Sequence, residues 1–241
     1  MELSIVIPTL NEEKVLEKTL TAVKQLQGFD YELIVSDGLS KDKTIEIAKK
    51  FADKVVVDQG KTKQNIAMGR NAGAAVASGE FLVFMDADVI IPNINNFFTR
   101  ALSLFEQDKN LAGLTVFLQV APEHVTLSDK LFFGLVNRIY QFSNNVLHSG
   151  AASGEFQMVR AEKFKQVGGF NSNLAVGEDN DLFARLSKVG STRVETGLHV
   201  MHTSRRAHSI GWSKLLWLWM VNLIFIKFLK SSFSKEWEAI R

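Results

Sequence analysis

The chain has 241 residues, 46% of them hydrophobic and 22% charged, with a net charge of +2. That balance excludes a disordered chain and gives no sign of nucleic-acid binding; it suits one large α/β domain, or one with a small appendage, able to bury a sizeable core. The absence of cysteine excludes a disulfide framework, thiolate metal sites and cysteine nucleophiles, and fits a reducing compartment such as the cytoplasm.

Taken in order, residues 3–8 form a short apolar run read as a strand. No charged-then-apolar leader precedes it, so no secretory signal is expected. Residues 12–26 have helical spacing (Val15, Leu16, Leu20, Val23) behind a capping Asn11. Strand-like runs follow at 31–37, 54–58 and 81–85, and helical ones at 43–51 and 63–77. Strands alternating with helices predict a mostly parallel sheet with helices on both faces. Beyond it, 111–119 reads as a strand and 127–147 as a long helix rich in Phe, Leu and Tyr. A strand at 155–159, a short helix at 162–167 and a helix at 179–189 ended by Gly190 come next. Residues 192–196 and 199–202 look extended. The expected division is a catalytic domain over 1–205, with halves 1–110 and 111–205, and a C-terminal segment over 206–241.

That last segment is unlike the rest. Residues 215–226 (LLWLWMVNLIFI) are uncharged and flanked by Lys214, Lys227 and Lys230, and from His199 to Arg241 there are seven Lys/Arg against two Asp/Glu. Twelve residues are too few to span a bilayer, which needs about 20. An interfacial membrane anchor, a contact with a second copy of the chain and packing on the protein's own core all remain open for it.

In an open parallel sheet ligands bind beyond the carboxyl ends of the strands. Three such ends carry polar motifs: Pro8-Thr9-Leu10-Asn11-Glu12, Ser36-Asp37-Gly38-Leu39-Ser40 and Asp86-Ala87-Asp88. No Gly-x-Gly-x-x-Gly follows the first strand and no P-loop motif occurs, which argues against hydride transfer and P-loop ATPase chemistry. Asp86 and Asp88, two apart in extended chain, face one side and repel unless a cation sits between them. Mg²⁺ or Mn²⁺ with a substrate diphosphate relieves that repulsion. A second acidic cluster, Glu178-Asp179-Asn180-Asp181, opens a helix and has a carboxylate able to deprotonate a hydroxyl, or simply caps the helix. Basic candidates for phosphate are Lys61, Lys63, Arg70, Arg205 and Arg206; His199, His202 and His208 lie beside the last two.

Together these segments resemble glycosyltransferase family 2, inverting enzymes with a GT-A fold. The matching pieces are 4–13 (SIVIPTLNEE), 32–38 (ELIVSDG), 70–73 (RNAG), 79–88 (GEFLVFMDAD), 167–170 (VGGF) and 178–182 (EDNDL) with Arg185, Leu186 and Gly190. The resemblance implies donor contacts from Pro8, Thr9, Asn11, Glu12, Asp37, Gly38, Arg70, Asn71, Asp86, Ala87, Asp88 and Arg205, with Asp37 on the base edge. It implies Asp88, and more weakly His202, as metal ligands, and Asp179 with Glu178 as the catalytic carboxylates. The expected donor is a nucleotide-diphosphate sugar, UDP first, with GDP and dTDP open. The expected acceptor is a glycan or a lipid-linked hydroxyl, met in the cytoplasm or at the cytoplasmic membrane face. The turn after Asp37 departs from relatives in carrying Leu39 and a Lys41-Asp42-Lys43 run. The Gln-x-x-Arg-Trp motif of processive synthases is missing, so transfer of one sugar is expected. The alternatives are a nucleotidyltransferase and a catalytically silent GT-A subunit; the acidic loop after the first strand argues against the former.

Overall fold

The computed structural model describes residues 2–60, 64–123, 125–203, 208, 209, 211, 212, 214, 217, 218 and 221. Seven strands form one sheet: β1 Leu3–Thr9, β2 Tyr31–Asp37, β3 Lys54–Val57, β4 Phe81–Met85, β5 Leu111–Val120, β6 Phe156–Arg160 and β7 Ser191–His202, in the order β3-β2-β1-β4-β6-β5-β7. β6 alone runs antiparallel, between β4 and β5, and the other strands share one direction. The expected mostly parallel sheet is therefore present. The two extended pieces near the end are one strand. Val116 pairs with Glu195 and Phe117 with His199, so the chain between them bulges out.

Seven helices are described: α1 Leu16–Val23, α2 Thr44–Phe51, α3 Ile66–Ala75, α4 Ile94–Gln107, α5 Leu127–Asn145, α6 Ala161–Gln166 and α7 Glu178–Leu186. Strand alternation sends Leu3, Ile5 and Ile7 into one core with Leu16 and Leu20 of α1 and Phe97, Phe98 and Phe105 of α4. Val6 and Phe84 enter the other, with Phe164 of α6 and Leu182, Phe183 and Leu186 of α7. Burial on both faces is why the inner strands read as continuous apolar runs.

One expectation is corrected and one element is added. Asn11 does not cap the first helix. It takes a left-handed φ of 55° and its side chain accepts from Lys41 N at 2.8 Å, while α1 starts behind Val15. Helix α4 fills a stretch that carried no assignment. Two glycines explain motif positions. A Cβ on Gly73 would lie 2.3 Å from Val6 Cγ1, so glycine lets α3 lie flat on β1. One on Gly79 would meet Ser4 N at 2.6 Å, which lets the turn into β4 touch β1's backbone.

Helix α5 is turned inside out. Its buried residues are Asp129, Phe133, Asn137 and Asn144. Asn137 behaves like a strand backbone toward β5: Oδ1 accepts from Leu118 N at 2.9 Å and Nδ2 donates to Leu118 O at 3.0 Å. Asn144 Nδ2 donates to Ala151 O at 2.6 Å. Asp129 receives Trp212 Nε1 at 3.2 Å and faces His208 Nε2 at 2.9 Å. Leu127, Leu131, Leu135, Ile139 and Phe142 of this helix point outward, with Leu127 74% and Leu135 61% exposed, while Phe133 is buried.

Candidate active site

At the carboxyl ends of β1 and β2 two loops are laced together. Asp37 is fully buried; its Oδ2 accepts from Thr9 Oγ1 at 2.8 Å and Ser40 Oγ at 2.7 Å, and its Oδ1 from Ser40 N at 2.7 Å. Gly38 N donates to Thr9 O at 2.8 Å, Ser40 Oγ accepts from Asn11 N at 2.7 Å, and Glu12 N donates to Thr44 Oγ1 at 2.7 Å. The donor-loop residues expected from sequence are thus brought together. Asp37 sits beneath them as the knot that shapes the loops, without an outward face of its own. Asn11 and Leu39, a departure noted above, both hold left-handed φ values of 55° and 72°. Strain in non-glycine residues of this kind collects at ligand-binding loops.

The centre of the site is Arg70 on α3. Its guanidinium is fully buried; Nη1 donates to Glu178 Oε1 at 2.7 Å, and Nη2 to Asp86 Oδ1 at 2.9 Å and Gly154 O at 3.0 Å, above the Phe170 ring at 5.3 Å. Expected to face phosphate, Arg70 is instead the clamp that joins the end of β4 to the first turn of α7. Burial works against its charge, but Asp86, Glu178 and Asp179 more than offset that and hold it protonated.

One buried cation cannot neutralise every nearby carboxylate. Burial pushes Asp86 up to about 7, against the pull of Arg70 and with Glu155 and Asp88 adding to the rise. Glu178 is pushed up to about 7 by burial and then by Asp179. Asp179 rises to about 6 by burial, with Arg70 pulling back and Glu155 and Asp86 adding to it. Asp179 Oδ1 accepts from Asn180 N at 2.7 Å, so the cap it forms is local. The cluster is short of positive charge.

Asp88 reaches the last strand. Ile90 and Met201 exchange both backbone hydrogen bonds, at 2.8 and 2.9 Å, and Thr203 Oγ1 donates to Asp88 Oδ2 at 2.6 Å. This brings the buried His202 beside the Asp86-Ala87-Asp88 segment. Burial lowers its pKa against the pull of Asp88 and Asp86, which favours the neutral imidazole, the form that ligates metals. Among the described residues no group of three or more His, Asp or Glu could hold a metal ion by itself. Asp88 and His202 supply a carboxylate and an imidazole. The donor set therefore fits a Mg²⁺ or Mn²⁺ ion whose shell is finished by substrate phosphates.

Other expected residues are placed differently. Asn71 is committed to the turn before Phe170: Oδ1 accepts from Phe170 N at 2.9 Å and Nδ2 donates to Phe170 O at 2.8 Å, so the motifs at 70–73 and 167–170 turn out to be partners. Ala87 is buried and its carbonyl accepts from Thr19 Oγ1 at 2.7 Å. His208 reaches Asp129 at 2.9 Å. Lys61, Lys63, Arg205 and Arg206 lie outside the described residues, as does most of 206–241.

Three residues with a place in the site escaped the sequence reading: Glu155, Tyr140 and Thr203. Glu155, in the turn just before β6, acts on Asp86 and Asp179 as above. Tyr140 of α5 hydrogen-bonds the Asn180 side chain, and burial, then Asp179 and Glu155, raise its hydroxyl pKa far above the ordinary value. Ser40 and Thr203 buttress Asp37 and Asp88. Ser40 belongs to the polar motif read at the end of the second strand, where a Ser three residues after Asp37 is a turn signal; the three missed residues carry none.

Comparison with known proteins agrees with this fold. The model of the family described as Glycosyl transferase family 2 matches residues 4–168. The succinoglycan biosynthesis protein ExoA of Rhizobium meliloti is 26% identical over 193 residues, covering 77% of this chain and 58% of that protein. Validoxylamine A glucosyltransferase of Streptomyces hygroscopicus subsp. jinggangensis is 37% identical over 93 residues, 36% of this chain and 22% of that one. The chain thus spans well under two thirds of these curated relatives. Among solved structures, mannosyltransferase PcManGT from Pyrobaculum calidifontis, in complex with GDP-Man and Mn²⁺, superposes with a TM-score of 0.72 at 17% identity, over 96% of this chain and 65% of that one. S. aureus TarS 1-349 with UDP-GlcNAc gives 0.65 at 18% identity, over 98% and 68%. The fold is accordingly GT-A.

Proposed function

The chain belongs to glycosyl transferase family 2, and we propose that within it the protein transfers one sugar, with inversion, from a nucleotide-diphosphate sugar to an acceptor hydroxyl. The observation that carries this is the Arg70 clamp. It joins the strand end bearing Asp86 and Asp88 to the helix start bearing Asp179, which supports reading a donor site and a base side by side.

The laced Pro8–Glu12 and Asp37–Ser40 loops hold the nucleoside, with Asp37 setting their shape from below. Asp86 lies toward the ribose. Asp88, with His202, would hold the divalent ion, which supplies positive charge to the leaving diphosphate. Glu178 is tied to Arg70 and acts as an anchor, which leaves proton transfer to Asp179. The acceptor oxygen loses its proton to the Asp179 carboxylate as it bonds to the anomeric carbon. The bond from that carbon to the diphosphate oxygen breaks on the opposite face, and the nucleoside diphosphate departs. With a pKa raised to about 6, Asp179 is ionised at neutral pH yet basic enough to accept a proton. UDP is the proposed nucleotide, because a relative of the same fold is solved with UDP-GlcNAc; GDP is the competitor, since another holds GDP-Man. The proposed acceptor is a glycan or a lipid-linked hydroxyl.

The test is a thermal-shift panel of nucleotide sugars with Mn²⁺. The cognate donor at about 100 times its Kd adds about 2.7 kcal/mol, or roughly 5–10 °C for a chain of this size. Asp179→Asn is expected to keep that shift while transfer falls on the order of 10³-fold or more. No shift with any donor, or near-normal turnover in the variant, sinks the proposal.

A further inference from the structure

We propose that the outward face of α5 docks the protein on an anionic lipid bilayer surface. The face is a continuous ridge: Leu127, Leu131, Leu135, Ile139, Phe142 and Val146 follow one another at helical spacing, each 52–74% exposed. Together they make an apolar strip along a helix of 19 residues, about 28 Å long. Scattered exposed leucines are ordinary, but a contiguous ridge of this size marks a contact surface. The geometry leaves it no inward option. Asn137 is fixed to both backbone groups of Leu118, and Asn144 to the Ala151 carbonyl, so the polar face is locked against the sheet and the apolar one outward.

Charge selects the occupant. The exposed charged residues of α5 are Lys130 and Arg138, both cationic, and its one acid, Asp129, is buried. Pairing two copies along this ridge would bring those cations together with no exposed acid on the helix to match them. An anionic headgroup layer meets them, while the leucines reach the acyl boundary. A described residue beyond β7 meets the same helix. Trp212 stacks on Phe132 of α5 with ring centroids 4.0 Å apart, Trp217 is 53% exposed, and the sequence from His199 onward holds seven Lys/Arg against two Asp/Glu. Trp beside Lys and Arg is the composition of a membrane interface.

The docking face also bears on the acceptor. Tyr140, next to the exposed Ile139, turns inward to Asn180 beside Asp179. One helix thus presents its outer side to lipid and its inner side to the proposed base. The docking claim itself does not depend on the transfer reading, and it is read by binding alone.

The test uses the full chain with vesicles of phosphatidylcholine, with and without 30% phosphatidylglycerol. Wild type is expected to sediment with the anionic vesicles, and Leu131→Gln/Leu135→Gln/Ile139→Gln to bind them at least about tenfold more weakly. All three side chains are exposed, so the fold is retained, which the donor-induced thermal shift or circular dichroism checks. Because the chain has no cysteine, Leu135→Cys accepts one environment-sensitive dye, and Val76→Cys, at the opposite sheet edge, serves as control. A blue shift on adding anionic vesicles at Leu135 and none at Val76 supports docking. Equal binding by the triple variant, equal binding to neutral vesicles, or no binding by wild type overturns it. A dye at Leu135 already shielded without lipid also overturns it, and sedimentation equilibrium then shows whether a second copy or the chain's own C-terminal segment covers the ridge.

Discussion

Replacing Arg70 with Met keeps a long side chain and deletes the charge. Glu178, with a side chain 7% exposed, and Asp86, 30% exposed, then face each other with no cation between them. Breaking a buried pair in this way costs about 3–5 kcal/mol, chiefly because a charge is left uncompensated. At about 2–4 °C per kcal/mol in a chain of this size, the melting temperature falls by roughly 10 °C or more. The loss has a pH signature. Both carboxyls already stand at about 7, and without Arg70 they rise further. They are then protonated at pH 5.5, so the variant's deficit shrinks on the acid side. Adding Glu178→Gln removes one of the stranded charges, so the double variant is expected to recover about 1–3 kcal/mol relative to additivity. Urea denaturation of wild type, both single variants and the double variant at pH 5.5 and 7.5 gives all these quantities. A loss under about 1 kcal/mol for Arg70→Met, or strict additivity at both pH values, refutes the clamp.

Three further outcomes are expected. Asn137→Leu leaves the Leu118 amide and carbonyl without their partners and is expected to destabilise by roughly 2–4 kcal/mol, seen as a lowered urea midpoint. Gly73→Ala drives a methyl into Val6 and is expected to cost at least about 1–3 kcal/mol, with donor affinity falling as α3 lifts from β1. The donor-free protein is expected to melt higher at pH 5.5 than at 7.5. Asp86, Glu178 and Asp179 have folded pKa values raised to about 7, 7 and 6, so the folded state holds more protons and its stability falls as pH rises through that range. His202 is lowered and opposes this, but it is one group against three. A flat or inverted profile contradicts these shifts.

What was legible in the sequence was what depends on neighbours along the chain. The run 81–85 ends on Asp86, and an apolar strand that stops at a carboxylate announces a site at a sheet's carboxyl edge. Helix α4 had a readable signal as well, in the spacing of Ile94, Phe97, Phe98, Ala101 and Phe105; its Asn-rich start and left-handed Asn93 cap hid it. Arg70 could not be read correctly. Its partner Glu178 lies 108 residues away, and nothing near either residue distinguishes a buried clamp from a phosphate ligand. The orientation of α5 was equally hidden. Its apolar content is the same whichever face turns inward, and the choice rests on Asn137 matching the backbone of a strand and Asn144 holding the Ala151 carbonyl.

The place of β6 has a consequence for synthesis. β4 and β5 follow each other in sequence, but each pairs with β6 and not with the other. As the chain leaves the ribosome, Phe81–Met85 is complete long before Phe156–Arg160 exists. Throughout that interval an all-apolar strand shows one bare edge, the arrangement that recruits other nascent chains or chaperones. Slow codons or a stall between residues 86 and 155 should therefore lower the soluble yield more than the same delay after residue 160.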